Sequence, residues 1–84
     1  MRKQITNTGY TQVNTNPLSY LIQNITTSKV LIVVLPIGVQ GPAADADYDF
    51  ILNPDDGISD SDVEGIIWAK STITSPVDVS VVEG

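Results

Sequence analysis

The sequence predicts an all-β protein: a small antiparallel β-sandwich of jelly-roll or immunoglobulin-like type, preceded by an extended N-terminal arm. Three observations predict it. Short segments rich in Val and Ile, or alternating apolar with polar, recur across residues 29–35, 48–53, 66–71 and 77–82. Turn chemistry separates them, with Gly38, Gly41 and Pro42, then Asn53-Pro54-Asp55-Asp56-Gly57, then Ser75-Pro76. No long segment keeps a helical apolar period. Short strands at such spacing, divided by turns, are the signature of a sandwich or barrel.

In chain order, residues 1–17 are rich in Thr, Asn and Gln, with Ile5, Tyr10 and Val13 as sparse anchors and a turn signal at Asn7-Thr8-Gly9. They are expected to form an arm, or a short edge hairpin, before a sandwich domain at 18–84. The stretch LSYLIQNI at 18–25 fits a strand that turns through 26–29. It also fits a short helix, because Leu18, Leu21, Ile22 and Ile25 have helical spacing and Asn16-Pro17 suits a helix start.

Residues 30–39 read VLIVVLPIGV, without a charged or hydrogen-bonding side chain. The run is half the length of a membrane-spanning helix, for which about 20 apolar residues are needed, and Pro36 ends regular pairing. It is expected to be a strand to residue 35, followed by a loop at 37–47. An antiparallel strand normally shows one face to water, and this one is apolar on both. Either the arm or another protein chain is therefore expected to cover its outer face, with Val30, Ile32 and Val34 at the contact.

Tyr48, Phe50 and Leu52 share one strand face. A short strand is expected around Ile58. In IIWAKS, Ile66 and Trp68 lie on one face with Ile67 and Ala69 on the other. Val77, Val79 and Val81 alternate with Asp78 and Ser80. Phe50, Leu52, Ile66, Trp68, Val77, Val79 and Val81 are the expected core.

Charge and composition narrow the function. The chain has 84 residues, a formal net charge of −6, and neither Cys nor His. Small domains commonly need a disulfide, a metal or oligomerisation as a staple; without Cys or His, oligomerisation is the staple expected. The first 44 residues carry Arg2, Lys3 and Lys29 and no acid, a formal +3, whereas the remainder holds all 10 acids against Lys70. Phosphate binding wants a basic face, so no nucleic acid is expected. No export signal and no membrane anchor are read. Nucleophilic triads and Cys/His pairs lack their residues, so no enzyme activity and no cofactor are expected.

Asp45, Asp47 and Asp49, and again Asp60, Asp62 and Glu64, are spaced D-x-D-x-D/E. A calcium loop starting at Asp45 fails, because Phe50 and Asp56 stand where a Gly and a Glu are required. Solvated loop acids are the simpler reading. Asn24-Ile25-Thr26 matches a glycosylation sequon, which without an export signal is read as chance.

From residue 18 onward the chain resembles small tailed-bacteriophage virion proteins built as β-sandwiches. The likeness lies in 22–26 leading into the Val-rich strand, the 52–57 turn, the GIIWAKS segment at 65–71 and the alternating valines that close with Glu83-Gly84. The turn at 53–57 is longer than the Pro-Gly turn of that pattern, and the arm has no counterpart in it. The resemblance implies a capsid decoration, or cement, protein: a homotrimer made in the host cytoplasm, bound to the major capsid protein on the outer surface of the head. The main alternative is a tail, neck or head-fibre protein, with contact to host glycans open to it. A secreted calcium-dependent binding module is a further reading, disfavoured by the missing signal peptide. For docking, Arg2, Lys3, Ile5, Tyr10 and Val13 of the arm are expected to act with the Val30–Val34 strand.

Overall fold

A computed structural model describes residues 1–83 and contains eight strands and no helix among them; Gly84 lies outside the described residues. The strands are β1 (Arg2–Ile5), β2 (Thr11–Gln12), β3 (Tyr20–Gln23), β4 (Val30–Leu35), β5 (Phe50–Leu52), β6 (Gly57–Ser59), β7 (Ile66–Ser71) and β8 (Val77–Glu83). They form two four-stranded sheets, ordered β1-β8-β3-β6 and β2-β7-β4-β5.

The pairing is that of a single ribbon folded at its middle. β4 pairs β5, β3 pairs β6, β2 pairs β7 and β1 pairs β8, all antiparallel. The ribbon then rolls up, so that β8 also meets β3 and β7 also meets β4. This is a jelly roll, two antiparallel sheets closed face to face. Its extents are 31 × 25 × 19 Å. With sheets about 10 Å apart, the shortest dimension holds one interior layer of side chains and no second.

That layer is aliphatic. Ile5, Ile22, Ile58, Val79 and Val81 enter it from the first sheet; Val30, Ile32, Leu52, Ile67 and Ala69 enter from the second, and Val13 and Tyr20 join them. Phe50, Val34 and Val77 pack against its margin, partly buried. Fully burying one such aliphatic side chain is worth about 1.5–3 kcal/mol. A chain of this size keeps a net stability of only roughly 4–12 kcal/mol, so each buried side chain counts.

Three expectations are corrected. The first concerns the arm. Residues 1–17 are part of the sandwich: β1 is the edge strand beside β8, β2 is the edge strand beside β7, and Ile5 and Val13 are buried in the core. Ile5 of β1 and Val13, which follows β2, are the inward anchors, and the strands' other side chains are polar, which is why the segment reads as polar.

The second concerns β7. Ile67 and Ala69 point into the core, so Ile66 and Trp68 lie on the outer face of the second sheet. Trp68 stands opposite Val33 of β4. The third concerns what covers that face. Within the chain, the protein's own loop, residues 36–49, lies over it. Gly41 lies against the Trp68 ring so closely that an added Cβ would stand 2.6 Å from its carbons. Lys70 Nζ donates to the Ala44 carbonyl at 2.6 Å, and Tyr10 Oη donates to the Ala46 carbonyl at 2.9 Å. The Asp49 carboxylate accepts the Val34 N–H at 2.7 Å where the loop rejoins the sheet. The two-faced apolar strand is thus explained: Val30 and Ile32 fill the core, and Val33 is buried beneath the loop.

Two outcomes follow from these corrections. Deleting residues 2–15 removes two edge strands together with Ile5 and Val13, each worth roughly 2–5 kcal/mol by truncation. The truncated chain is expected to be unfolded by circular dichroism, whereas a separable arm would leave a folded remainder. Trp68→Ala is expected to leave the sandwich folded but to release the loop, and Gly41→Ala to release it by collision with the ring. In a double-mutant cycle the two act on one contact, so their effects on the denaturant midpoint should be strongly non-additive.

Candidate functional site

The 36–49 loop lies over the second sheet's outer face and itself exposes Ile37, Val39 and Tyr48; the outer face of the first sheet and the mouth of the sandwich are the surfaces formed by the strands themselves. On the first sheet, inward Ile22 and Val81 are cross-strand partners, so Leu21 and its partner Val82 point outward. They form an apolar pair, 40% and 58% exposed, among Gln4, Asp78, Ser80, Gln23 and Ser59. Leu18, three residues before Leu21, is also exposed, at 64%. Nothing in the described chain folds over this pair as the loop folds over Trp68.

The mouth lies between the edge strands β5 and β6. It is an open groove of about 310 Å³, walled by Phe50, Leu52, Ile58 and Val63, with Asp56 and Asp62 contributing carboxylates. Local chemistry fixes both of its loops. In the β5–β6 turn, the Asp56 N–H donates to the Asn53 carbonyl at 3.0 Å, while Pro54 and Asp55 occupy the central positions. Asp55 adopts φ 68°, left-handed backbone that favours Gly or Asn. On the other side, the Tyr20 hydroxyl donates to the Val63 carbonyl, the Asp60 carboxylate accepts the Tyr20 N–H at 3.1 Å, and Asp62 accepts the Ser59 N–H at 2.9 Å.

These bonds account for three of the six clustered acids. Asp49, Asp60 and Asp62 accept backbone N–H groups at strand ends. Among the described residues, no group of three acids is placed to hold a metal ion. Asn24 is likewise committed. It is 1% exposed; its amide donates to the Ser28 and Leu52 carbonyls and its Oδ1 accepts the Thr26 N–H and hydroxyl. The sequon is a buried turn brace, inaccessible for glycan attachment in the folded state.

The docking residues expected from sequence divide sharply. Ile5, Val13, Val30 and Ile32 are buried in the core and present no surface to a partner, and Val34 is partly buried at its margin. Tyr10 is half-buried against the loop, with Lys70 Nζ 5.5 Å from its ring centre. Arg2 is exposed and Lys3 half-exposed on the β1 edge, and these two remain accessible. Leu21 and Val82 were legible in principle: Leu21 sits between two inward residues of β3, and Val82 breaks the alternation of Val77, Val79 and Val81. Asn14 carried no such signal, yet it is buried, donating to the Gly65 carbonyl at 3.1 Å and accepting the Ile67 N–H at 2.7 Å. The chain matches no known protein family, no curated protein and no solved structure.

Burial, followed by the nearby Asp60 and Asp62 charges, raises the Tyr20 pKa to about 12. An unfolded tyrosine ionises near 10, so the folded state favours the neutral phenol. Its stabilising contribution is complete below pH about 10 and is lost as pH rises through about 12. The denaturant midpoint is therefore expected to fall across that window. In Tyr20→Phe the chain should start less stable, having lost the bond to Val63, and show a smaller alkaline decline.

Proposed function

We propose that the protein is a structural component of a bacteriophage virion, of the capsid decoration or cement type. It acts as a homo-oligomer, expected to be a trimer, bound to the major capsid protein on the outside of the head. The observation that carries this reading is the bare outer face of the first sheet, where Leu21 and Val82 stand exposed on a rigid ladder. The rest of the molecule supports a binding role. Its interior is a single aliphatic layer, and the groove's two carboxylates are joined by no histidine, cysteine or arginine that would suit acid–base or nucleophilic work. The resemblance of residues 18–84 to phage virion sandwiches supplies the setting. On a capsid, a small apolar contact suffices, because repeated copies held together bind by avidity.

The test is co-sedimentation with expanded, empty phage heads. Leu21→Lys combined with Val82→Lys alters two exposed side chains and should leave the fold intact. Removing two apolar contacts of about 1.5–3 kcal/mol each should lower head occupancy by more than about tenfold. Equal occupancy for the variant and the unaltered chain would remove this face from the docking surface. Binding to isolated tails instead of heads would favour the tail or fibre assignment.

A further inference from the structure

The charge asymmetry of the sequence becomes a spatial one in the fold. β1 and β6 are the two outer strands of the first sheet. β1 carries Arg2 and Lys3, and the N-terminal amine lies beside it, donating to the Val81 carbonyl at 3.0 Å. The nearest acid by register is Asp78, one strand further in, opposite Gln4. β6 is bracketed by Asp55 and Asp56 before it and Asp60 and Asp62 after it. Lys29, which precedes Val30 where β4 faces the end of β5, offsets part of this charge and leaves the balance negative.

We propose that the β6 edge and its groove bind the β1 edge of a second copy, head to tail, with Arg2 and Lys3 of one copy meeting Asp56 and Asp62 of the next. Three features of the surface select this occupant. Edge strands present unpaired backbone groups that accept another strand. Like edges oppose each other here, because two β1 edges are both basic and two β6 edges both acidic, so only the unlike pairing is attractive. The groove also suits a long cationic side chain, with Phe50 and Val63 for contact with the methylene stem and Asp56 and Asp62 carboxylates for the charged head.

A head-to-tail contact uses different patches on the two partners, and repeating it closes a ring where the rotation allows. The inference rests on the homo-oligomer in the reading above and is independent of capsid binding. It also differs from the simpler role of edge charges, which is to prevent strand pairing. Guard residues promote association when removed, whereas docking residues abolish it.

Sedimentation velocity on the purified chain, from low to high micromolar, separates these cases. The unaltered protein should associate with concentration and dissociate as salt is raised from about 0.05 to about 0.5 M, which collapses the screening length. Arg2→Glu with Lys3→Glu should be monomeric, and so should Asp56→Lys, whose side chain is exposed. Asp62→Asn serves as a milder second groove variant that keeps an acceptor for the Ser59 N–H. Circular dichroism confirms that each is folded. Mixing the β1 variant with Asp56→Lys should restore association, because each supplies the patch the other lacks. The inference is overturned if the unaltered chain stays monomeric at low salt, if either variant associates within about tenfold of it, or if the mixture stays monomeric. A monomer that still decorates heads would overturn this inference and the homo-oligomer it rests on, and leave the capsid docking standing. An oligomer that ignores heads would overturn only the capsid reading.

Discussion

Six residue pairs join β4 to β7, from Val30–Ser71 to Leu35–Ile66, and the other elements of the molecule depend on that ladder. Its inner face supplies Val30, Ile32, Ile67 and Ala69 to the core. Its outer face carries Leu31, Val33, Leu35, Ile66 and Trp68, a surface too apolar to leave in water. A chain with one interior layer has no third sheet to cover it. The 36–49 loop fills that role, and its Gly41 is the residue that allows the backbone to lie directly on the Trp68 ring. The loop is therefore structural: its Gly41 backbone covers Trp68 and its Ala44 and Ala46 carbonyls tie it to Lys70 and Tyr10. The indole Nε1 of Trp68 is buried there without a hydrogen-bond partner among the described residues. It is a local cost accepted where the ring's apolar area dominates.

Loops fixed by buried amides and carboxylates complete the architecture. Asn14 ties the segment after β2 to the β6–β7 loop at Gly65 and to the start of β7. Asn24 ties the end of β3 to the β3–β4 turn and to β5. Both are asparagines because each site needs a donor and an acceptor at one side chain, which neither Asp nor Leu supplies. Glu83 does the same work at the surface. It accepts the backbone N–H groups of Asn16 and Thr15, which hold its carboxyl below the ordinary range despite some burial. Truncating Asn14 or Asn24 leaves buried polar groups unsatisfied, which costs more than the bond's own net worth. The nested ribbon has few local contacts to hold its turns, and these side chains replace them.

How much of this was legible follows from how much each strand reveals about itself. β7 and β4 were readable from β-branched content, and β8 from its alternating valines, because each carries its signal within one stretch. The side of β7 was not readable. Ile66 and Trp68 on one face are as apolar as Ile67 and Ala69 on the other, so alternation defines two faces without choosing the inner one. The choice is made by the loop, whose Gly41 and Ala44 look like ordinary turn residues in sequence. β1 and β2 escaped notice for a different reason. Their registers are set by partners more than fifty residues away, Arg2 with Ser80 and Thr11 with Ala69, and a two- to four-residue strand has no internal period to display. The acid clusters invited a metal reading because spacing is visible in sequence, while the strand-end N–H groups that occupy Asp49, Asp60 and Asp62 are not.

The same nested pairing explains why a charge gradient along the chain survives folding. In a ribbon folded at its middle and rolled up, the first strands form one side of the sandwich and the middle strands, β5 and β6, form the other. A basic beginning and an acidic middle are thereby carried to opposite edges. The last strand returns acids toward the beginning, where Glu83 is taken up by Thr15 and Asn16, and the 36–49 loop brings Asp47 and Asp49 near Tyr10, just ahead of β2. Asp78 stands one strand in from the edge, opposite Gln4. A more local topology, such as successive hairpins in sequence order, would place β1 beside β2 and leave the first and last strands at the edges. The jelly roll instead encloses β8 and exposes β6, so the most acidic turns flank an open edge and the basic strand flanks the other. The fold converts sequence order into polarity across the sheet, while the apolar Leu21–Val82 pair remains on a separate face, perpendicular to both edges.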